Sequence, residues 1–200
     1  GKSTVASILM GRNKGYRGTL TVGGIPLSEI SEQSLLKHFT YISHQSYLFK
    51  GTVRDNLLMA KPDADDRQLW KVLEQVRLAD FLRQENGLDT ELKERASNFS
   101  GGQCQRLALS RALLHDSSVY IFDEATSNID VESENDIMEQ IYQLSKNKTV
   151  ILISHRLANV VKADKIYVLR NGYLEESGTH KTLLMQEGYY SCLLYTSPSP

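Results

Sequence analysis

The sequence predicts an α/β fold with a mainly parallel core sheet and an inserted helical subdomain. Two continuous apolar stretches, within residues 118–124 and 149–155, have the length of buried parallel strands, and each ends in polar residues. Strand-like and helix-like segments alternate along the chain, which is typical of a parallel sheet. Between about residues 52 and 115 the apolar residues follow a helical spacing, which predicts the helical subdomain.

The composition is that of a globular chain long enough for one substantial core. Its 200 residues are 40% hydrophobic and 24% charged, with a formal net charge of -1. This balance argues against a general electrostatic partner such as nucleic acid or a membrane surface. Two cysteines set no disulfide framework, which favours a reducing compartment. The longest apolar runs are strand-length, so we expect no membrane span within these residues.

Local patterns predict the other elements. In chain order they are a helix over 3–10, a strand over 17–27 broken by Gly23-Gly24 and Pro26, a helix over 28–39, a short strand over 40–43, a helix beginning within 51–59, helices over 65–84, 103–115 and 131–146, a hairpin over 164–177, and a final helix from His180. Asn171-Gly172 suits the tight turn of that hairpin, because a primed turn needs positive φ angles.

The first four residues, Gly1-Lys2-Ser3-Thr4, match the end of a phosphate-binding loop and lead directly into an apolar helix. In such a loop the lysine reaches the phosphates, the hydroxyl binds Mg²⁺, and the helix N-terminus faces the anion. Four residues are a weak signal by themselves, and a chance match is the alternative.

Polar residues also end the two predicted buried strands. Asp123 and Glu124 would lie at the carboxyl edge of the sheet, where ligands bind in open α/β folds. Asp123 could hold Mg²⁺ through water, and Glu124 could deprotonate an attacking water. An exposed acidic turn is the alternative. His155 could reach a phosphate oxygen, or could be a polar strand terminus only.

Ser100-Gly101-Gly102 leads straight into a helix predicted to begin near Gln103. Small residues at a helix N-terminus form an anion site through their backbone N–H groups. Because Lys2 already marks one phosphate site, we interpret this second site as serving the nucleotide of another chain. A capped loop without a ligand is the alternative. Gln45, which follows a short strand, indicates no function by itself.

In their order along the chain, these stretches resemble the nucleotide-binding domain of ATP-binding cassette (ABC) transporters. The motifs that carry the resemblance are Gly1-Lys2-Ser3-Thr4 (Walker A), Gln45 (Q-loop), NFSGGQ at 98–103 (signature), VYIFDE at 119–124 (Walker B with its catalytic glutamate), SNID at 127–130 (D-loop) and His155 (switch histidine). The resemblance covers about residues 1–190. It implies a P-loop NTPase with a RecA-like core, in which about residues 52–115 form the inserted signature subdomain.

The resemblance implies binding of ATP and Mg²⁺. Lys2 would neutralise the β- and γ-phosphates, Thr4 would bind an α-phosphate oxygen, and Gly1 would lend a backbone N–H. The metal would be held by Ser3, Gln45 and Asp123, the last through water.

ATP hydrolysis is the activity that the resemblance implies. Glu124 would act as general base, His155 would contact the γ-phosphate, and Gln45 would touch Mg²⁺ or the attacking water. Gln45 would also report to a transmembrane partner.

A second ABC ATPase domain, identical or different, is the partner that the resemblance implies. The signature residues Ser100, Gly101, Gly102 and Gln103 would bind the ATP of that domain in a head-to-tail arrangement. Asp130 would couple the two sites across the interface.

Residues 46–57 and 153–180 resemble exporters in which the ATPase follows a transmembrane domain in one chain. The chain would then lie at the cytoplasmic face of the cell membrane and power the export of an unknown substrate, with no nucleic-acid partner. Lys93 and Ala96 stand where glycines are usual in this group, so we expect the loop around Glu94 to depart from the usual geometry.

The match begins partway through Walker A, so we expect the N-terminal β part of the domain to be missing. Residues 191–200 form a tail whose end we expect to be non-native. These 200 residues alone are expected to bind ATP weakly and to hydrolyse little of it. A soluble ABC-type ATPase of translation or DNA repair is the alternative function. A small-molecule kinase would leave the S-G-G-Q helix unexplained.

Overall fold

The structure, a computed structural model, describes residues 1–44 and 47–196. The chain forms two compact units. One comprises residues 1–29 and the chain from residue 152 onward, and the other comprises residues 30–151.

The described residues contain both α-helices and β-strands. The helices are α1 (Lys2–Leu9), α2 (Glu32–His38), α3 (Val53–Leu58), α4 (Asp66–Gln75), α5 (Ala79–Gln84), α6 (Gly101–His115), α7 (Val131–Ser145), α8 (His180–Met185) and α9 (Tyr189–Thr196). The strands are β1 (Thr21–Val22), β2 (Ile25–Pro26), β3 (Phe39–Ser43), β4 (Gly51–Thr52), β5 (Glu91–Leu92), β6 (Val119–Asp123), β7 (Thr149–Ile153), β8 (Ile166–Arg170) and β9 (Tyr173–Gly178).

The sheet of the 30–151 unit has the strand order β3-β6-β7, with only the first three residues of β7 inside this unit. β3 and β6 pair in parallel, and Ser43 lies opposite Asp123 at the carboxyl end of the pair. The side chains of Tyr120, Ile121 and Phe122 are fully buried, as the apolar run predicted. The predicted strands at 40–43, 118–124 and 149–155 are confirmed, with Ser154 and His155 just beyond the end of β7. The expectation that the third strand is buried was wrong, because only Ile153 of β7 is buried.

The helical part of this unit is arranged around α6, which contacts α3, α4, α7 and β3. The helical pattern predicted over 65–84 is confirmed as two helices, because the chain leaves the helix between α4 and α5. Arg77 has φ 55°, and the N–H groups of Leu78 and Arg77 bond back to Leu73 (2.9 Å) and Glu74 (3.0 Å). This is a Schellman ending, and burial of Leu78 completes it.

The other unit contains two hairpins. The predicted strand over 17–27 is in fact the antiparallel pair β1–β2, because Gly23 and Gly24 both have positive φ and form a two-residue turn. The predicted hairpin around Asn171-Gly172 is confirmed as β8–β9. Its core consists of the buried residues Ile166, Val168, Leu183 and Tyr190.

The last helical region is interrupted. The helix predicted from His180 ends at Met185, and α9 begins at Tyr189 after Glu187, which has φ 48°. The boundary predicted at residue 190 lies within α9. None of the helices in residues 1–44 and 47–196 combines the length and the apolar character that a membrane crossing needs.

Candidate functional site

Asp123 is the last residue of β6 and is almost completely buried, with 5% of its surface exposed. Its Oδ2 accepts a hydrogen bond from the Tyr41 hydroxyl at 2.8 Å. Its Oδ1 is buried and has no hydrogen-bond partner among the described residues. A buried carboxylate oxygen without a partner is costly, and a metal-bound water would satisfy it. Asp123 therefore fits the role of a Mg²⁺-holding residue.

Glu124 follows directly and is half-buried. Its backbone has φ 51°, a left-handed conformation that costs a non-glycine residue energy. The carbonyl of Glu124 accepts the Ser127 N–H at 3.0 Å, so the chain turns sharply at the sheet edge. The turn places two consecutive carboxylate residues at the carboxyl end of a buried parallel strand, as the sequence predicted.

The signature residues form the start of α6. Ser100 is the N-cap, and the helix begins at Gly101 rather than near Gln103 as predicted. Ser100 Oγ accepts the Gln103 N–H at 3.2 Å, and Gln103 Oε1 accepts the Ser100 N–H at 2.8 Å. The Ser100 hydroxyl proton remains available for an anion, because this capping box uses the oxygen only as an acceptor. Ser100 and Gly101 are exposed, whereas Gly102 is buried.

Asp130 caps α7 and lies beside the signature residues. Its Oδ1 accepts the Ser133 N–H at 2.8 Å, and its Oδ2 would lie 3.2 Å from a Cβ added at Gly102. The hydrogen bond from the Ser133 N–H lowers the pKa of the Asp130 carboxyl, so the group is charged at neutral pH. The structure thus brings together the signature and D-loop motifs, which are about 30 residues apart in sequence.

Lys2, Ser3 and Thr4 form the exposed first turn of α1. The N-cap residue Gly1 has no side chain to bond the N–H groups of this turn, and the turn carries no acidic residue. Free N–H groups, a positive helix end and a lysine together suit an anion.

His155 lies in the same unit as α1 and is exposed just after β7. The loop is held by Ser154, whose Oγ accepts the Arg156 N–H at 3.0 Å and donates to the Arg156 carbonyl at 3.2 Å. Gln45, the remaining predicted site residue, lies outside the described residues.

Three residues that sequence reasoning missed support these motifs. Tyr41 bonds Asp123, Gln105 Nε2 donates to the Ser43 carbonyl at 3.1 Å, and Arg106 Nη2 donates to Asp136 Oδ2 at 2.8 Å. None of these contacts left a local signal in the sequence, because the partners lie at least 30 residues apart in the chain.

The chain matches the family model described as ABC transporter over residues 1–127. It is 53% identical over 191 residues to an uncharacterized ABC transporter ATP-binding protein of Haemophilus influenzae, covering 96% of this chain and 34% of that protein. It is 40% identical over 195 residues to the ATP-dependent lipid A-core flippase of Pasteurella multocida, covering 96% of this chain and 34% of the flippase. The chain thus spans about a third of the length of these curated relatives.

Among solved structures, a bacterial Atm1-family ABC exporter with ATP bound superposes with a TM-score of 0.92 at 30% identity. The match covers 100% of this chain and 36% of the exporter chain. This confirms the predicted fold class, an α/β P-loop NTPase fold with a parallel core sheet and a helical subdomain.

Proposed function

The chain belongs to the ABC transporter family, and we propose that it is the ATPase domain of an exporter that hydrolyses ATP to move a substrate across a membrane. The observation that carries the proposal is the end of β6, where the buried Asp123 has one unpartnered oxygen and Glu124 follows in a sharp turn. The Asp123 carboxylate suits a magnesium–nucleotide complex, and the Glu124 carboxylate suits activation of a water.

Mg²⁺, when bound, neutralises charge that develops on the phosphates. Asp123 would hold it through water, and the resemblance of the motifs assigns Ser3 and Gln45 to the same ion. Lys2 and the N–H groups of the first turn of α1 bind phosphate oxygens, since this helix end is exposed and uncapped. Glu124 accepts the proton of the attacking water, and His155 donates a hydrogen bond to the γ-phosphate.

The signature residues serve a second ABC ATPase domain. Ser100, Gly101, Gly102 and Gln103 provide a hydroxyl and helix N-terminal N–H groups, and Lys2 already supplies one phosphate site to the chain. We therefore assign them to the ATP of the partner domain, identical or different, in a head-to-tail pair. Asp130 reports the state of one site to the other, because it lies against Gly102.

A transmembrane domain is the third component. Tyr47 and Phe49, which follow Gln45, are exposed aromatic residues whose ring centroids lie 4.8 Å apart. Their backbone is held in place, since Arg111 donates to the Tyr47 carbonyl at 2.9 Å and Asn56 bonds both backbone groups of Phe49 at 2.9 Å. A rigid, exposed aromatic pair suits contact with an apolar protein surface. We assign this surface to the transmembrane part, and we propose on this basis that the chain lies at the cytoplasmic face of the membrane.

An exporter is favoured over a soluble ABC-type ATPase by the relatives. A lipid A-core flippase and an Atm1-family exporter resemble the chain over nearly all of its length. The transported substrate is a property of the transmembrane part, so the chain does not specify it.

Sequencing the coding DNA upstream of Gly1 tests this part of the proposal. We expect the frame to continue into the first glycines of the phosphate loop and, further upstream, apolar spans of roughly 20 residues each. A continuation into a second cassette or a soluble domain would instead favour the soluble ATPase.

The catalytic assignment is tested by Glu124→Gln in the full-length protein. The substitution keeps size and hydrogen bonding but removes the base, so we expect the hydrolysis rate to fall at least about a hundredfold. The affinity for ATP should change little. A Glu132→Gln variant, which alters an acidic residue in the first turn of α7, is the control. Retention of full hydrolysis by Glu124→Gln would contradict the assignment.

A further inference from the structure

The first turns of α6 and α7 approach each other more closely than side chains normally allow. A Cβ added at Gly102 would lie 2.8 Å from Ser133 Cβ and closer still to Ser133 Oγ. A Cβ added at the neighbouring Gly101 would have no contact shorter than 3.6 Å among the described residues. A side chain at Gly102 would therefore clash with Ser133, whereas one at Gly101 would fit.

Arg106, one turn further along α6, fastens the two helices. Its Nη2 donates to Ser133 Oγ at 3.2 Å and to Asp136 Oδ2 at 2.8 Å, and its Nη1 donates to the Arg77 carbonyl at 3.1 Å. Asp136 is 7% exposed and also pairs with the Arg77 guanidinium. A charged hydrogen bond between largely buried groups is stronger than an exposed one, so the contact resists separation of the helices.

Ser133 connects the Gly102 and Arg106 contacts to Asp130, the residue that caps α7. Its N–H bonds the Asp130 carboxylate, while its Oγ lies against Gly102 and accepts from Arg106. Displacement of α6 would therefore disturb the cap that holds Asp130.

We propose that Gly102, Arg106, Ser133 and Asp136 form a joint that positions the anion site at Ser100 and Gly101 and the Asp130 loop as a single body. We call these four residues the α6–α7 joint. In this joint, glycine is needed at position 102 so that α6 and α7 can pack closely, whereas the exposed Gly101 faces the ligand. That Ser100, Gly101 and Asp130 act on ATP rests on the proposed function. That the four residues hold α6 and α7 together rests only on the distances between them.

A double-mutant cycle tests the packing. The unfolding equilibrium constant is measured in urea for the wild type, Gly102→Ala, Ser133→Gly and the double variant. We expect Gly102→Ala to raise this constant at least about tenfold in the wild type, and less than about threefold in the Ser133→Gly background, where the clash is relieved. Gly101→Ala is the matched control, with a smaller effect that Ser133→Gly leaves unchanged.

If Gly102→Ala fails to fold, recovery of folding in the double variant gives the same answer. Equal penalties for Gly102→Ala in both backgrounds, or no folded protein in either, would overturn the joint.

Amide hydrogen exchange tests whether the two segments move together. Gln103 and Cys104 bond to Ser100, and Ser133 and Glu134 bond to Asp130, through their N–H groups. In Arg106→Lys, a single ammonium replaces the two Nη atoms that separately reach Arg77 and Asp136, so we expect exchange of both pairs to accelerate by a common factor of about ten. Arg83→Lys, which alters an exposed ion-paired arginine, should change neither pair. Acceleration of one pair alone would contradict the single body.

ATP-dependent association of the full-length protein separates the joint from the proposed function. If ATP drives association of the wild type, we expect Arg106→Lys to weaken it while each chain keeps its affinity for ATP. Equal association of both proteins would overturn the positioning role. If the wild type does not associate, the proposed pairing fails, and hydrogen exchange alone decides on the joint.

Discussion

Arg95 and Ala96, which precede the signature, both have left-handed backbones, with φ 56° and 51°. The resemblance to exporters implies that Ala96 stands where glycine is usual, and the left-handed backbone of Ala96 explains what the departure costs. A left-handed conformation costs a non-glycine residue roughly 1–2 kcal/mol, of which the extra entropy of an unfolded glycine offsets part. The loop before the signature is therefore strained in this protein.

We expect Arg95→Gly to raise the free energy of unfolding by about 0.5–1 kcal/mol, because Arg95 is exposed and the substitution removes strain with little loss of burial. Ala96→Gly removes similar strain but also a buried methyl group worth about 0.8 kcal/mol, so its net effect should be close to zero. Urea unfolding of both variants measures this difference. Ala112→Gly, within α6, is the control and should destabilise by about 1 kcal/mol or more. Destabilisation by Arg95→Gly would show that the loop is not strained there.

Left-handed residues also mark where the sequence was a poor guide. Arg77 ends α4 and Asp116 ends α6 in this conformation, yet neither is glycine or asparagine, the usual signals of such an ending. The break between α4 and α5 was missed for this reason. By contrast, Asn171-Gly172 and the carboxylates at the end of β6 carry local signals, and both predictions agree with the structure.

At the scale of elements, the N-terminus of α9 is capped by a side chain that belongs to a strand. Glu176 of β9 accepts the N–H groups of Tyr189 (2.9 Å) and Tyr190 (2.7 Å) through its two carboxylate oxygens. No sequence pattern near residue 189 indicated this cap, because the acceptor lies 13 residues earlier in the chain. Contacts of this kind depend on the hairpin that presents the carboxylate, and they become visible only in the folded chain.

Glu176→Gln should loosen α9. The amide keeps one acceptor oxygen but turns an NH₂ group towards the second N–H, and the negative charge at the helix start is lost. We expect the free energy of unfolding to fall by about 1–2 kcal/mol and the amides of Tyr189 and Tyr190 to exchange faster. Glu175→Gln is the matched control, since the exposed Glu175 only pairs loosely with Arg170 at 3.7 Å and should cost less than about 0.5 kcal/mol. Similar effects of the two variants would argue against the cap.

At the scale of the molecule, the order of the motifs predicted the fold and the family. The contacts that hold the motif residues in place were found only in the structure. The motifs within the described residues lie at the start or end of a regular element, so strand and helix patterns located them along the chain. The neighbours that hold the motifs, such as Tyr41 for Asp123 and Ser133 for Gly102, lie far apart in sequence. Strand pairing and helix packing bring them together, and neither leaves a local pattern.

If the partner domain is a second copy of this chain, the head-to-tail pairing predicts complementation between inactive chains. Lys2→Ala destroys one half of each composite site and Ser100→Arg destroys the other half, so each full-length variant alone should hydrolyse no ATP. In an equal mixture, mixed dimers join the intact Lys2 of one chain to the intact Ser100 of the other. Random pairing then restores about a quarter of the wild-type sites. A mixture of Lys2→Ala with Ser3→Ala is the control, since both residues belong to the same half, and it should stay inactive. No activity in the first mixture would contradict a head-to-tail pair of identical chains, and activity in the control would contradict the assignment of Lys2 and Ser3 to the same half of the site.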